Sequence, residues 1–179
     1  MEIQASRFGA RNGPSGEPVL LLDQNRARWD RLLIRRGLAA LARAEALAGA
    51  SKRMPGPYAL QAAIAACHAR AEDADATDWG RIASLYAELA RINPSPIVEL
   101  NRAVAVSMAD GPQAGLNIVD RLLSEPALAG YHLLPSVRGD LLFKLGRKRE
   151  AREEFERAAG MTKNERERTL LVARARACG

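Results

Sequence analysis

Two histidines, two cysteines and a short run of carboxylates are the residues of this chain best suited to chemistry. Cys67 and His68 are sequence neighbours inside an apolar stretch. On a helix they point about 100° apart, so they cannot form a nucleophile and base pair by themselves. His132 stands alone, and no two histidines lie one helical turn apart as a helical metal site requires. Asp73 and Asp75 fall in the polar run Glu72-Asp73-Ala74-Asp75, where no burial would raise a carboxyl into the range of a general acid. Neither a glycine-rich phosphate loop nor a nucleophile elbow is present. The expectation is a chain with no catalytic residue, no cofactor and no metal, and with both histidines as hydrogen-bonding residues at helix surfaces. Cys67, in mid-helix, and Cys178, one residue from the end, read as reduced thiols.

The elements that would carry a function are helical and repeated. Leu60-Gln61-Ala62-Ala63-Ile64-Ala65, Leu100-Asn101-Arg102-Ala103-Val104-Ala105 and Ser136-Val137-Arg138-Gly139-Asp140-Leu141 each place a small residue (Ala63, Ala103, Gly139) at one position of an apolar helix, and a second amphipathic helix follows each. Small residues let helices approach closely, and a recurrence of 36 to 40 residues marks a solenoid of helix pairs. The third unit has Gly146 at its turn, Ala151 at the helix contact and Phe155 and Ala158 continuing the stripe, close to the tetratricopeptide (TPR) pattern. The middle unit turns at Gly111-Pro112, with Gly115, Ile118, Val119 and Leu122 as its stripe. In the first, Thr77 is expected to cap a helix beginning at Trp79, which Asn93-Pro94-Ser95-Pro96 stops.

Ahead of the repeats, Trp29, Leu32, Leu33, Leu38, Leu41 and Leu47 suggest a helix over about Arg28 to Leu47, preceded by a loop, Asn12 to Pro18. Val19-Leu20-Leu21-Leu22 is too short to assign. A last helix starts at Asn164 as N-cap and runs towards Arg176. The sum is an all-α, TPR-like right-handed solenoid of stacked hairpins with about eight helices, its pairs spanning 57–91, 95–125 and 131–160. Residues 1–27 form an N-terminal helix and loop segment, and 28–179 the helical domain.

Composition agrees: 47% hydrophobic but only 4% aromatic residues suit closely packed helices. No window approaches the roughly 20 apolar residues of a membrane span, and Met1 to Ala10 lacks a signal-peptide core, so the expected location is the cytoplasm with no membrane contact. The net charge of +6 and a pI near 9.9 raise the question of nucleic acid. The excess is uneven: +3 over residues 1–50, −2 over 51–143 and +5 over 144–179. In the last segment Arg149 with Glu153 and Arg152 with Glu156 are spaced to pair, which makes a solvated, charge-laced helix face the simpler reading and sequence-specific DNA binding not expected.

Polar residues within the apolar helices are the candidate binding positions. Gln61 and Asn101 hold equivalent places, Arg102 and Arg138 the next, and Asp140 follows Gly139. First helices of solenoid pairs line the concave side, so these five could form a polar groove for a peptide or another domain; alternatively Gln61 and Asn101 satisfy backbone groups between adjacent units, and Arg102 and Arg138 are structural helix residues.

Six segments appear in one order: Asp23-Gln24-Asn25-Arg26-Ala27-Arg28-Trp29-Asp30, Gly56 to Ala69, Thr77-Asp78-Trp79, Ser95 to Val106, Gly130-Tyr131-His132 and Leu145-Gly146-Arg147. Together they resemble the C-terminal extension of a subgroup of extracytoplasmic-function (ECF) RNA polymerase sigma factors, one that carries a TPR-like domain after its sigma regions. The resemblance runs from about Met1 to Arg174. It implies a fragment lacking the promoter-binding regions, with Met1 an internal methionine or the start of an expressed piece. It also implies partners: the sigma regions of the same polypeptide, the polymerase core, and a peptide or regulatory protein in the groove. Asp23, Gln24 and Arg28, in the first segment, would dock the domain. The alternative expectation is a stand-alone TPR-like adaptor or scaffold, with an enzyme a distant third.

Overall fold

The computed structural model describes residues 2–14, 16–52 and 54–179; Met1, and Ser15 within the expected Asn12–Pro18 loop, lie outside them. Nine α-helices are present among the described residues: α1 (Glu2–Ala5), α2 (Arg31–Ala50), α3 (Pro57–Arg70), α4 (Trp79–Ile92), α5 (Pro96–Asp110), α6 (Pro112–Leu122), α7 (Leu133–Lys144), α8 (Lys148–Met161) and α9 (Glu165–Arg176). Among the described residues the only extended pairing is an isolated bridge between Asn12 and Pro18. The all-α expectation holds. The helices divide into two compact units, Met1–Asn93 and Pro94–Gly179, which part within Asn93-Pro94-Ser95-Pro96. α1 packs on α2 and α3, so the first residues are part of a folded unit.

In the first unit, Ile3 of α1 is buried with Leu41, Ala65 and Ala66. The long helix starts later than its apolar residues suggest. Arg26–Arg28 forms a 3-10 turn, Trp29 is extended (φ −78°, ψ 138°), and Asp30 caps α2, its Oδ1 accepting from the backbone N–H groups of Leu32 (2.8 Å) and Leu33 (3.0 Å). A carboxylate that satisfies two free N–H groups sets a firmer start than an apolar stripe can. The buried register is Ile34, Leu38, Leu41, spaced i, i+4, i+7, whereas Leu32 and Leu47 are 54% and 70% exposed. Val19 to Leu22 resolves into a short 3-10 turn, Leu21–Asp23. The cap of α4 is Asp78, which accepts from Arg81 N–H at 2.8 Å, and Thr77 is buried for another purpose described below.

The second unit follows the sequence pattern closely. α5 and α6 make one hairpin, α7 and α8 a second, α6 packs on α7, and α9 closes on α8. Solenoid-like stacking within this unit follows from small residues at the crossings. A Cβ built on Gly115 would meet Ser107 Cβ at 2.5 Å and the Ala103 carbonyl oxygen at 2.7 Å; one on Gly139 would meet the Phe155 ring at 2.9 Å. Ala103, Leu116, Val119, Leu142, Ala151, Phe155 and Ala158 are fully or almost fully buried in the resulting core. Each large apolar side chain so buried stabilises by about 1.5–3 kcal/mol. Gly146 (φ +75°) ends α7 in the left-handed conformation, and Arg147 N–H returns to the Leu142 carbonyl at 2.9 Å. Asn164 caps α9 through Oδ1, as its position suggests.

Candidate functional site

The Asp23–Asp30 segment separates into a buried half and an exposed half. Arg26 is only 8% exposed and acts as an anchor. Its Nη1 donates to the carbonyls of His68 (2.6 Å) and Ala71 (2.9 Å), which are free acceptors at the C-terminal end of α3, and its Nη2 donates to Thr77 Oγ1 (2.8 Å). Thr77 in turn donates to the Asp73 carbonyl at 3.2 Å. One guanidinium thus ties the segment before α2 to both ends of the α3–α4 connection. The Arg26 guanidinium lies 5.3 Å from the centroid of the Trp29 ring and that of Arg7 5.8 Å. Burial pulls both guanidinium pKa values down, and no carboxylate forms an ion pair with either among the described residues. Trp29 is 3% exposed and its indole N–H has no acceptor among the described residues.

His68 belongs to the same cluster. Its ring meets Trp79 edge to face at 5.2 Å. Burial, helped by the charges of Arg7 and Arg26, lowers its pKa to about 4, so it is neutral near pH 7. Trp79, the first residue of α4, is half-buried. Burial pushes the Cys67 thiol up, opposite to what a reactive thiolate needs. Among the described residues no three His, Cys, Asp or Glu side chains gather as a metal site would require, and no helix is long and apolar enough to cross a membrane.

The exposed half of the segment carries the three residues expected to dock. Asp23 and Arg28 face solvent, and Gln24 is half-buried, its Nε2 donating to the Val19 carbonyl at 3.2 Å. Separately, α1, α2 and α3 line a cleft of about 660 Å3, walled by Ala40, Leu41, Ala62 and Ala65, with Arg36 and Tyr58 also on its lining and no residue of the Asp23–Asp30 segment among them.

The five groove residues are distributed over both units. Gln61 is half-buried on α3 in the first. In the second, Asn101 is exposed, and Arg102 is held by Glu99 one turn earlier on the same helix, with Nη2 to Oε2 at 2.8 Å. Arg138, a candidate groove residue, is a clamp between helices: Nε donates to Asp120 Oδ1 of α6 at 2.8 Å and Nη1 to Glu154 Oε1 of α8 at 2.7 Å. Burial alone would lower its pKa, and the two carboxylates outweigh that and raise it. Glu154, with only 10% of its side chain exposed, also has Arg157 Nη2 at 2.8 Å from Oε2. Asp140 faces Lys144 (3.0 Å) and Arg174 of α9, whose guanidinium covers the Phe155 ring at 4.5 Å. The charges of Arg138 and Asp140 are therefore satisfied within the unit. Their sequence positions were legible; the partners Asp120, Glu154 and Arg174, 16 to 34 residues away, were not.

These features define an all-helical protein of packed hairpins whose conspicuous polar side chains join helices. The profile of a family of unknown function (DUF6596) matches residues 1–45, which span α1, the Asp23–Asp30 segment and most of α2. Over 169 residues the chain is 47% identical to an uncharacterized protein of Rhizobium meliloti (strain 1021). That alignment covers 94% of this chain and 38% of the relative, so the chain spans well under half the relative's length. No solved structure matches it.

Proposed function

We propose that the chain is the regulatory protein-interaction domain of a bacterial ECF-type RNA polymerase sigma factor, acting in the cytoplasm in transcription initiation. The observation that carries the reading is the split of the Asp23–Asp30 segment. Arg26 and Trp29 fix its backbone to the fold, while Asp23 and Arg28 are left free to meet a partner. A rigid platform with a few exposed charged groups is how a docking surface keeps the cost of ordering low. The relative's greater length leaves room for other domains in a polypeptide of this kind.

In this reading the partner is the sigma regions of the same polypeptide, the polymerase core, or both, and these residues do not read promoter DNA themselves. Arg149 and Glu153 (4.0 Å) and Arg152 and Glu156 (2.8 Å) pair on α8, which supports a solvated face over a phosphate-binding one. The test is co-purification of the full natural polypeptide with core polymerase, compared with an Asp23→Ala, Arg28→Ala variant. Retention by the natural form and at least about tenfold weaker retention by the variant, the loss of about 1.4 kcal/mol, is expected. A polypeptide without affinity for core polymerase points instead to a stand-alone adaptor.

A further inference from the structure

We infer that the first unit carries an oxyanion-binding pocket beside the Arg26–Trp29 anchor, a site that accepts a carboxylate or phosphate group. A cavity of about 290 Å3 is lined by Arg26, Trp29, Arg31 and Arg70, with Ile34, the end of α3 and Glu72 completing its walls. Three guanidinium-bearing residues thus face one carboxylate-bearing residue. Arg31 and Arg70 are exposed and make no hydrogen bond or ion pair with a described residue, so their cationic ends are available. Arg26 is buried, and each of its acceptors is neutral, two carbonyls and a hydroxyl. Asp73 is the only carboxylate whose charge is felt at Arg26, and it makes no ion pair with it among the described residues, so an anion in the adjoining cavity complements a charge that is only partly offset.

The second observation is independent of charge. Trp29 forms a wall of the cavity, is 97% buried, and its indole N–H, which can only donate, has no acceptor. Buried donors are rarely left unmade in folded proteins, and this one belongs to a residue on the cavity wall. Arg31 lies in the first turn of α2, where the helix dipole adds to the same preference, although Asp30 already caps two of the free N–H groups there. The inference does not depend on the sigma-factor reading, since it concerns only what the first unit holds.

The test is thermal unfolding of the full chain, followed by tryptophan fluorescence, which reports the first unit because Trp29 and Trp79 are the only tryptophans. Sodium phosphate, sodium acetate and an aspartate-bearing peptide are titrated separately, with ionic strength held constant by sodium chloride. An anion present at about ten times its Kd should raise the midpoint by about 3–6 °C. The Arg31→Gln, Arg70→Gln double variant, which removes two exposed and unpaired side chains, should keep the unliganded midpoint and lose the rise. A rise with phosphate or acetate identifies a free small anion as sufficient, and a rise with the peptide alone identifies a protein carboxylate as the guest. No rise with any of the three, or an equal rise in the double variant, overturns the inference.

Discussion

Replacing Arg138 by alanine tests whether this side chain is a structural clamp or a ligand-facing group. The side chain is 18% exposed and holds Asp120 on α6 and Glu154 on α8 at 2.8 and 2.7 Å. Removing one partner of a fully buried pair costs about 3–5 kcal/mol, because the other charge is left desolvated. Arg138→Ala should cost less. Glu154 keeps Arg157, and Asp120, 44% exposed, regains water at a cost of under about 1 kcal/mol. The expected loss is about 2 kcal/mol, or about 4–8 °C in Tm for a chain of this size. Urea unfolding followed by circular dichroism is the appropriate assay, since both tryptophans lie in the first unit. Asp120→Ala should cost no more than about half as much, and an Arg138–Glu154 double-mutant cycle should show a coupling of at least about 1 kcal/mol. An Arg138→Ala protein within about 0.5 kcal/mol of the parent, the usual range for a surface change, would refute the clamp.

Gly139→Ala should destabilise by about 1–3 kcal/mol and Gly115→Ala by more, because the Phe155 ring can shift whereas the Ala103 carbonyl cannot; Gly160→Ala, with open space around it, should be neutral or stabilising, all read from unfolding midpoints. His68 has a folded pKa of about 4 against 6.5 when unfolded, so its contribution is complete above pH 6.5 and is lost as pH falls towards 4. The loss is up to about 3 kcal/mol, and a pH series of unfolding free energies should show it flattened in His68→Gln. Trp29→Ala should cost about 3–5 kcal/mol as a core aromatic, and Trp79→Ala clearly less, since only Trp29 is fully buried; equal losses in Tm would contradict the assignment.

The second unit was far more legible in sequence than the first, and the difference has a physical cause. Gly139, Ala151, Phe155 and Ala158 lie within one hairpin, where helical period and a glycine turn determine which residues meet. The first unit is organised by contacts that periodicity cannot show. Arg26 reaches His68, Ala71 and Thr77 across 42 to 51 residues, and Thr77, which has the composition of a cap, is used as its acceptor instead. The α2 register was hidden because leucine occurs on both faces of the helix: Leu41 is buried, whereas the leucines at 32 and 47 are exposed. Of the candidate site, positions were visible and partners were not. Nothing in the immediate sequence around Arg138 indicates that Asp120 and Glu154 close on it, nor around Asp140 that Arg174 arrives from α9. The signal that could have found the first-unit anchor was the concentration of Arg26 and Trp29 in a single polar segment, since an arginine and a tryptophan that close together can share one buried site.

The proposed role of this helical domain in a sigma factor is tested most directly by reconstituted transcription. The natural polypeptide containing these residues should direct core polymerase to a specific promoter in a run-off assay, and deletion of the domain, or Asp23→Ala with Arg28→Ala, should lower the specific transcript at least about tenfold while leaving core polymerase itself active. A polypeptide that gives no promoter-specific transcript, or one whose transcript is unchanged without the domain, would contradict the claim.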